Sequence, residues 1–338
     1  DITRYFETLP SNRLNLGLWL EADRMRSLAV TDSNLRNQRE VVKEERRLSY
    51  DNQPYAGAFV DGLAAGYDSA TCFAYAHPTI GSMDDLNAAH LEDVQAFFRL
   101  YYTPNNARLV VSGDFDGVQA KRLIADYFGD IPRGATPPPV ICAGPYHAGA
   151  RRRAVNDRLA NLPAAVNFYR IPDHAHDDTP ALELISTILG QGESSRLNVR
   201  LARAVRAAVS TQAAIFASRR GPSLFGAFAV ANQGVSADSL AGLLAAEVAR
   251  IAEEGVTQAE LDKAKNVYRA LVVSNRQRAF DVAEELHHAA TFHGSAEAVN
   301  GDFARYMAVT VEGIRRVAQA YLTSDNVLVL VVNAGAAP

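Results

Sequence analysis

The sequence predicts an α+β chain built as two homologous halves. Its length, a proline run near its middle and a segment that recurs at a constant offset carry that expectation. At 338 residues the chain is longer than one ordinary core accommodates, so two domains are expected. Three consecutive prolines, Pro137 to Pro139, favour an extended, semi-rigid connection. This places an N-terminal half at 1–135, a linker at 136–150 and a C-terminal half at 151–338. The stretch Leu91 to Val111 matches Val311 to Val331 without gaps at an offset of 220. Glu92, Tyr101, Thr103 and Asn106 recur as Glu312, Tyr321, Thr323 and Asn326, and Val94, Phe97, Leu109, Val110 and Val111 meet Ile314, Val317, Val329, Leu330 and Val331. Such self-similarity points to duplication of one helix–turn–strand unit.

Leu14, Leu18, Ala22 and Met25 recur at helical spacing, so residues 12–29 read as an amphipathic helix closing before Thr31 and Asp32. A second helix is predicted from about Ser33 to Tyr50, ended by the breaker cluster Asp51-Asn52-Gln53-Pro54. Further helices are predicted over 56–66, 90–102 and 117–128, with a strand over Arg108 to Ser112 bounded by Gly113-Asp114. The chain opens on Asp1 rather than Met, and the first copy of the repeat lies closer to Asp1 than the second lies to the linker. The first half is therefore expected to lack roughly 70 residues at its N-terminus.

A composition of 48% hydrophobic and 21% charged residues fits a globular protein, and no apolar run is long enough to span a bilayer. A formal net charge of −4 without a cationic patch argues against a nucleic-acid partner. Cys72 and Cys142 could pair, but two cysteines are few for this length and read more simply as small buried hydrophobes, which leaves the redox compartment open.

The chemistry concentrates on the second helix. Val41, Val42, Glu45 and Leu48 fall at i−4, i−3, i and i+3, which places the Glu45 carboxylate on an apolar stripe expected to face the core. A buried carboxylate is paired, protonated or bound to metal, and an ion pair with a neighbouring Arg or Lys is the simplest of these. The eight histidines offer no pair one helical turn apart. His174 and His176 lie in a polar loop, Glu284 and His287 form a single Glu-x-x-His, Gly190 to Ser195 reads as a turn rather than a phosphate loop, and Arg151 to Arg153 reads as solvated surface.

Several blocks together resemble the pitrilysin/insulinase family of zinc metallopeptidases, in its bacterial two-half form. They are Asp1 to Pro10, Leu18 to Met25, Val41 to Arg47, His77 to Ser82, Tyr101 to Ala107, Val111 to Asp114 and Leu189 to Leu197. The resemblance implies a LuxS/pitrilysin-like metalloenzyme fold in which each half is a mainly antiparallel sheet with helices packed on it. It implies zinc, held by an inverted His-x-x-Glu-His motif and a glutamate on a later helix, and by motif position Glu45 matches that glutamate. The inverted motif falls upstream of Asp1, so no catalytic residue is expected in this chain. Gln38 stands where the family often has a further acidic residue, and Lys265 lies opposite Glu45 in the second half, which therefore reads as non-catalytic.

The implied function is a zinc-dependent metalloendopeptidase acting on peptides or unfolded segments, inactive as this chain alone. It would work as a homodimer or as a heterodimer with another peptidase-family subunit, in a bacterial periplasm or secreted. The alternative is a non-catalytic subunit or scaffold that pairs with an active peptidase.

Overall fold

The computed structural model describes residues 2–142, 149–216 and 220–335. Its α-helices, in chain order, are α1 (Leu14–Ser27), α2 (Asp32–Arg46), α3 (Ala56–Ala65), α4 (Met83–Ala88), α5 (Leu91–Tyr101), α6 (Gly117–Phe128), α7 (Thr179–Gly190), α8 (Ala237–Glu254), α9 (Gln258–Asn275), α10 (Ala279–Phe292), α11 (Val299–Ala308) and α12 (Val311–Tyr321). Its strands are β1 (Arg151–Asp157), β2 (Ala164–Ile171), β3 (Ala208–Phe216), β4 (Ser223–Ala231) and β5 (Val327–Ala334). The helices predicted over 12–29, 56–66, 90–102 and 117–128 are present, and α2 continues through a π turn, Arg47–Asp51, to the predicted breaker.

The chain divides into two compact units. A helical unit comprises Asp1–Glu44, Gly81–Val140 and Val272–Val299, and a sheet unit comprises Glu45–Ile80, Ile141–Leu271 and Asn300–Pro338. Each draws on both sides of 136–150, so these units differ from the sequential halves 1–135 and 151–338. One boundary, Val140 to Ile141, falls inside the expected linker.

The sheet unit has the expected α+β architecture. Strand order is β1-β5-β2-β4-β3, with β1 parallel to β5 and the other neighbours antiparallel. β2 is buried along its whole length, as its near-continuous apolar run requires of a strand covered on both faces. One face carries the main core, where Ile185, Leu189, Leu244, Val248, Ile314 and Val317 from α7, α8 and α12 meet Phe225 and Val331. The other face carries a separate cluster, Val166, Phe168, Leu328, Leu330 and Val332, closed by Tyr55, Phe59 and Leu63 at and within α3. Ser236 and Thr310 cap α8 and α12 by accepting from the backbone N–H groups of Ser239 and Gly313.

The helical unit contains no β-strand among the described residues, and the strand predicted over Arg108 to Ser112 does not form. The preceding turn nevertheless repeats that of the sheet unit. Tyr102 N–H donates to Phe98 O at 2.9 Å as Leu322 N–H does to Ala318 O at 2.9 Å. Asn106 Nδ2 donates to Tyr101 O at 2.9 Å, as Asn326 Nδ2 does to Tyr321 O at 2.7 Å. After the second copy the chain enters between β1 and β2 as β5. After the first, no strand among the described residues pairs with it.

Candidate metal centre

Position on α2 decides what Glu45 can do. Most of the stripe expected to face the core faces solvent instead: Val42 is half-buried, but Val41 is 51% exposed, Leu48 58%, and Glu45 is exposed. The inward residue is Lys43, 9% exposed, whose Nζ donates to Glu40 Oε1 at 2.7 Å. A lysine turns inward at modest cost because its methylene stem packs on apolar neighbours while the ammonium keeps a partner. The helical periodicity was correct, but three apolar residues on one face do not say which face is covered. Desolvation therefore does not force Glu45 to take a metal or an ion pair.

A zinc site needs three protein ligands. Glu45 supplies one carboxylate, and among the described residues no group of three His, Cys, Asp or Glu side chains is placed to hold a metal. These residues do not by themselves make a zinc site.

Several of the other sequence candidates have structural roles. Before α7, His176 Nδ1 accepts from Asp178 N–H at 3.1 Å, and the Asp178 carboxylate accepts from Arg316 and, at 3.0 Å, from Tyr321 Oη. Burial pushes the Asp178 carboxyl up, but the bonds from Arg316 and Tyr321 outweigh it and hold it below the usual range. On α10, Glu284 is bonded to Arg4. Burial pushes His287 down, Glu284 opposes that shift, and Arg108 and Arg4 add to it. The Gly190 to Ser195 segment is the predicted turn, and Arg196 after it grips Glu260 at 2.6 and 2.9 Å. Arg196 overcomes the burial of Glu260 and brings its carboxyl down to about 2. Lys265, opposite Glu45 in the repeat, donates to Met307 O at 2.8 Å and Val309 O at 2.6 Å, tying the turn between α11 and α12. α7, the first helix after β2, contains no His, as read from the sequence.

One covalent feature corrects the sequence reading: Cys72 and Cys142 form a disulfide. Cys72 is buried at 3% exposure, as read, but as half of a bridge rather than as a small hydrophobe. A separation of 70 residues carries no local signal of pairing; the only hint was that two cysteines allow one pairing.

A family model described as Peptidase M16 inactive domain matches residues 88–268, more than half of the chain. The chain belongs to the M16 peptidase family. The resemblance to pitrilysin/insulinase peptidases drawn from its sequence blocks is thereby borne out. Among M16 relatives, the zinc protease PqqE of Helicobacter pylori is 32% identical over 286 residues, covering 84% of this chain and 63% of that protein. This chain thus spans less than two thirds of that relative's length. The crystal structure of a protease from Helicobacter pylori is similar with a TM-score of 0.89 and 27% identity, covering 95% of this chain and 77% of that one. The fold is also shared, with a TM-score of 0.73 at 16% identity, with the first half of the periplasmic protease PqqL from Escherichia coli, covering 97% of this chain and 72% of that one.

Proposed function

We propose that this chain is part of a zinc-dependent M16 metalloendopeptidase that hydrolyses peptides or unfolded polypeptide segments. The observation that carries the reading is Glu45 on the exposed stripe of α2, flanked by Val41 and Leu48, in a chain whose relative is named a zinc protease. An apolar, solvent-facing stripe around a carboxylate suits a surface that further protein covers. On this reading Glu45 gives zinc one ligand, and the remaining ligands and the general base come from outside these residues. Zinc in such a site supplies Lewis-acid chemistry at the scissile carbonyl. This chain's part is to hold one carboxylate in place and to provide a non-catalytic half, in which Lys265 replaces the acid with a cation.

The matching turns at Asn106 and Asn326 support an internal duplication behind the two-half organisation. Pairing as a homodimer, or as a heterodimer with another peptidase-family subunit, belongs to the same proposal. The Cys72–Cys142 disulfide favours an oxidising compartment, which fits a periplasmic or secreted protein. No helix among the described residues is long and apolar enough to cross a membrane.

The test is zinc content and peptide cleavage by the full-length gene product. Glu45→Gln should lower zinc affinity by at least about tenfold and lower cleavage with it, while the same substitution leaves the thermal unfolding of residues 1–338 alone unchanged, because the side chain is exposed in them. Zinc content and cleavage equal to wild type would remove Glu45 from the site. A second reading, a non-catalytic subunit, is favoured by the matched model's description as an inactive domain. A natural full-length protein that binds no zinc would establish it.

A further inference from the structure

α3 is held on the second face of the sheet by four kinds of contact. At its start, Tyr55 N–H donates to Asp157 Oδ2 at 2.6 Å and Tyr55 Oη to Leu162 O at 2.8 Å. At its end, Gly66 O accepts from Arg170 Nη2 at 2.6 Å and Arg151 Nη2 at 3.1 Å. A carboxylate at the N-terminus and two guanidinium groups at the C-terminus complement the helix dipole. Between the ends the helix lies close to the sheet: a Cβ at Gly62 would come within 2.7 Å of Leu330 Cδ2, and one at Gly66 within 2.7 Å of Leu224 Cδ1. Phe59 packs on Phe168 and Phe216 with ring centroids 5.6 and 5.0 Å apart. Just beyond α3, Tyr67 Oη bonds Pro222 O at 2.9 Å, and the Cys72–Cys142 disulfide fastens the segment to Cys142, which packs on the cluster of Tyr67, Tyr75 and Leu224.

Two features make this arrangement separable from the rest of the unit. The cluster under α3 is distinct from the main core, so lifting α3 leaves the packing of α7, α8 and α12 intact. α3 itself is ten residues long and contains Gly57 and Gly62, a length and composition that do not sustain a helix alone in water. Its order therefore depends on docking and on the tether.

We propose that α3 is a redox-latched cover: the Cys72–Cys142 disulfide keeps it on the sheet, and reduction lets it lift and expose the strip formed by Val166, Phe168, Leu328 and Leu330. The reductant is a dithiol. It gives two electrons and two protons to the Cys72–Cys142 bond, leaving two thiols, and itself becomes a disulfide. Reduction removes the covalent tie beside α3 and leaves Cys72 and Cys142 held there by packing alone. On the peptidase reading this face would be a wall presented to substrate, and only that last link rests on it.

Amide hydrogen exchange on the full chain, with and without dithiothreitol, tests the latch and does not depend on peptidase activity. Reduction should speed exchange in residues 56–66 by at least about tenfold and leave α7, α8 and α12 unchanged. The Cys72→Ser/Cys142→Ser variant should show the same pattern without reductant. If that variant does not fold, reduction of the folded wild type still decides the matter. Unchanged exchange in α3 on reduction, or simultaneous loss of protection throughout the sheet unit, would overturn the proposal.

Discussion

α5 with its turn and α12 with its turn are nearly the same local structure, yet their apolar faces fare differently. Ile314 and Val317 of α12 are completely buried against the sheet, whereas Phe97, which occupies the position of Val317, is 54% exposed. Val331 has no exposed surface in β5, whereas its counterpart Val111 is only half-buried in a segment with no ladder. Helix and turn are decided by residues within a few positions of one another, and so they recur. A strand is decided by distant neighbours, and it appears only where β1 and β2 supply them.

The largest test of that contrast is a charge in the two extended segments. Val331→Asp should destabilise the sheet unit by more than about 4 kcal/mol, because a carboxylate would lie in the main core without a partner, while Val111→Asp should cost less than about 1 kcal/mol. Urea unfolding of both variants measures the difference, and equal losses would mean that the segment after α5 is as well packed as β5. A smaller difference is expected at the paired asparagines. Asn326 is 1% exposed and its Nδ2 bonds both Tyr321 O and, at 2.8 Å, Arg170 O, whereas Asn106 is exposed and bonds Tyr101 O. Asn326→Ala should cost about 2–3 kcal/mol and Asn106→Ala about 0.5–1 kcal/mol, read from the same unfolding curves.

The smallest effect separates the units by the sign of their pH response. Glu260 in the sheet unit is lowered from 4.5 to about 2 by Arg196, so its contribution is present above pH 4.5 and is lost as pH falls toward 2. Glu7 in the helical unit is raised from 4.5 to about 7 by burial and by Glu21 beside it, so its contribution is present below pH 4.5 and is lost as pH rises through 7. Glu260→Gln should flatten the pH dependence of stability below pH 4.5, and Glu7→Gln that between pH 4.5 and 7. Each change should stay under about 1 kcal/mol because solvent screens both sites. Amide exchange resolved by unit checks both, and an unchanged slope in either variant would remove that carboxyl from the pH response.

Much of the helical skeleton was legible because periodicity and breakers are local: Leu14 to Met25 marked α1, and Asp51 to Pro54 marked the end of the second helix. α4 escaped notice because six residues carry too little periodicity to register, and no bounds for α7 to α11 were read from the sequence. Glu45 shows where a pattern stops short. Its spacing from Val41 and Leu48 placed the three on one face correctly, but Lys43, not Glu45, turned inward. The disulfide was illegible for a similar reason, since only the fold brings Cys72 to Cys142.

The sequence by itself determined membership in a peptidase family, the helices over 12–29, 56–66, 90–102 and 117–128 and the recurring turn, all of which depend on residue types at fixed short spacings. The tertiary structure decided which copy of the repeat became a strand, which face of α2 met solvent and which side of the sheet α3 covers. Those outcomes rest on burial and on backbone hydrogen bonds between segments far apart in the chain, and no local pattern specifies the partner.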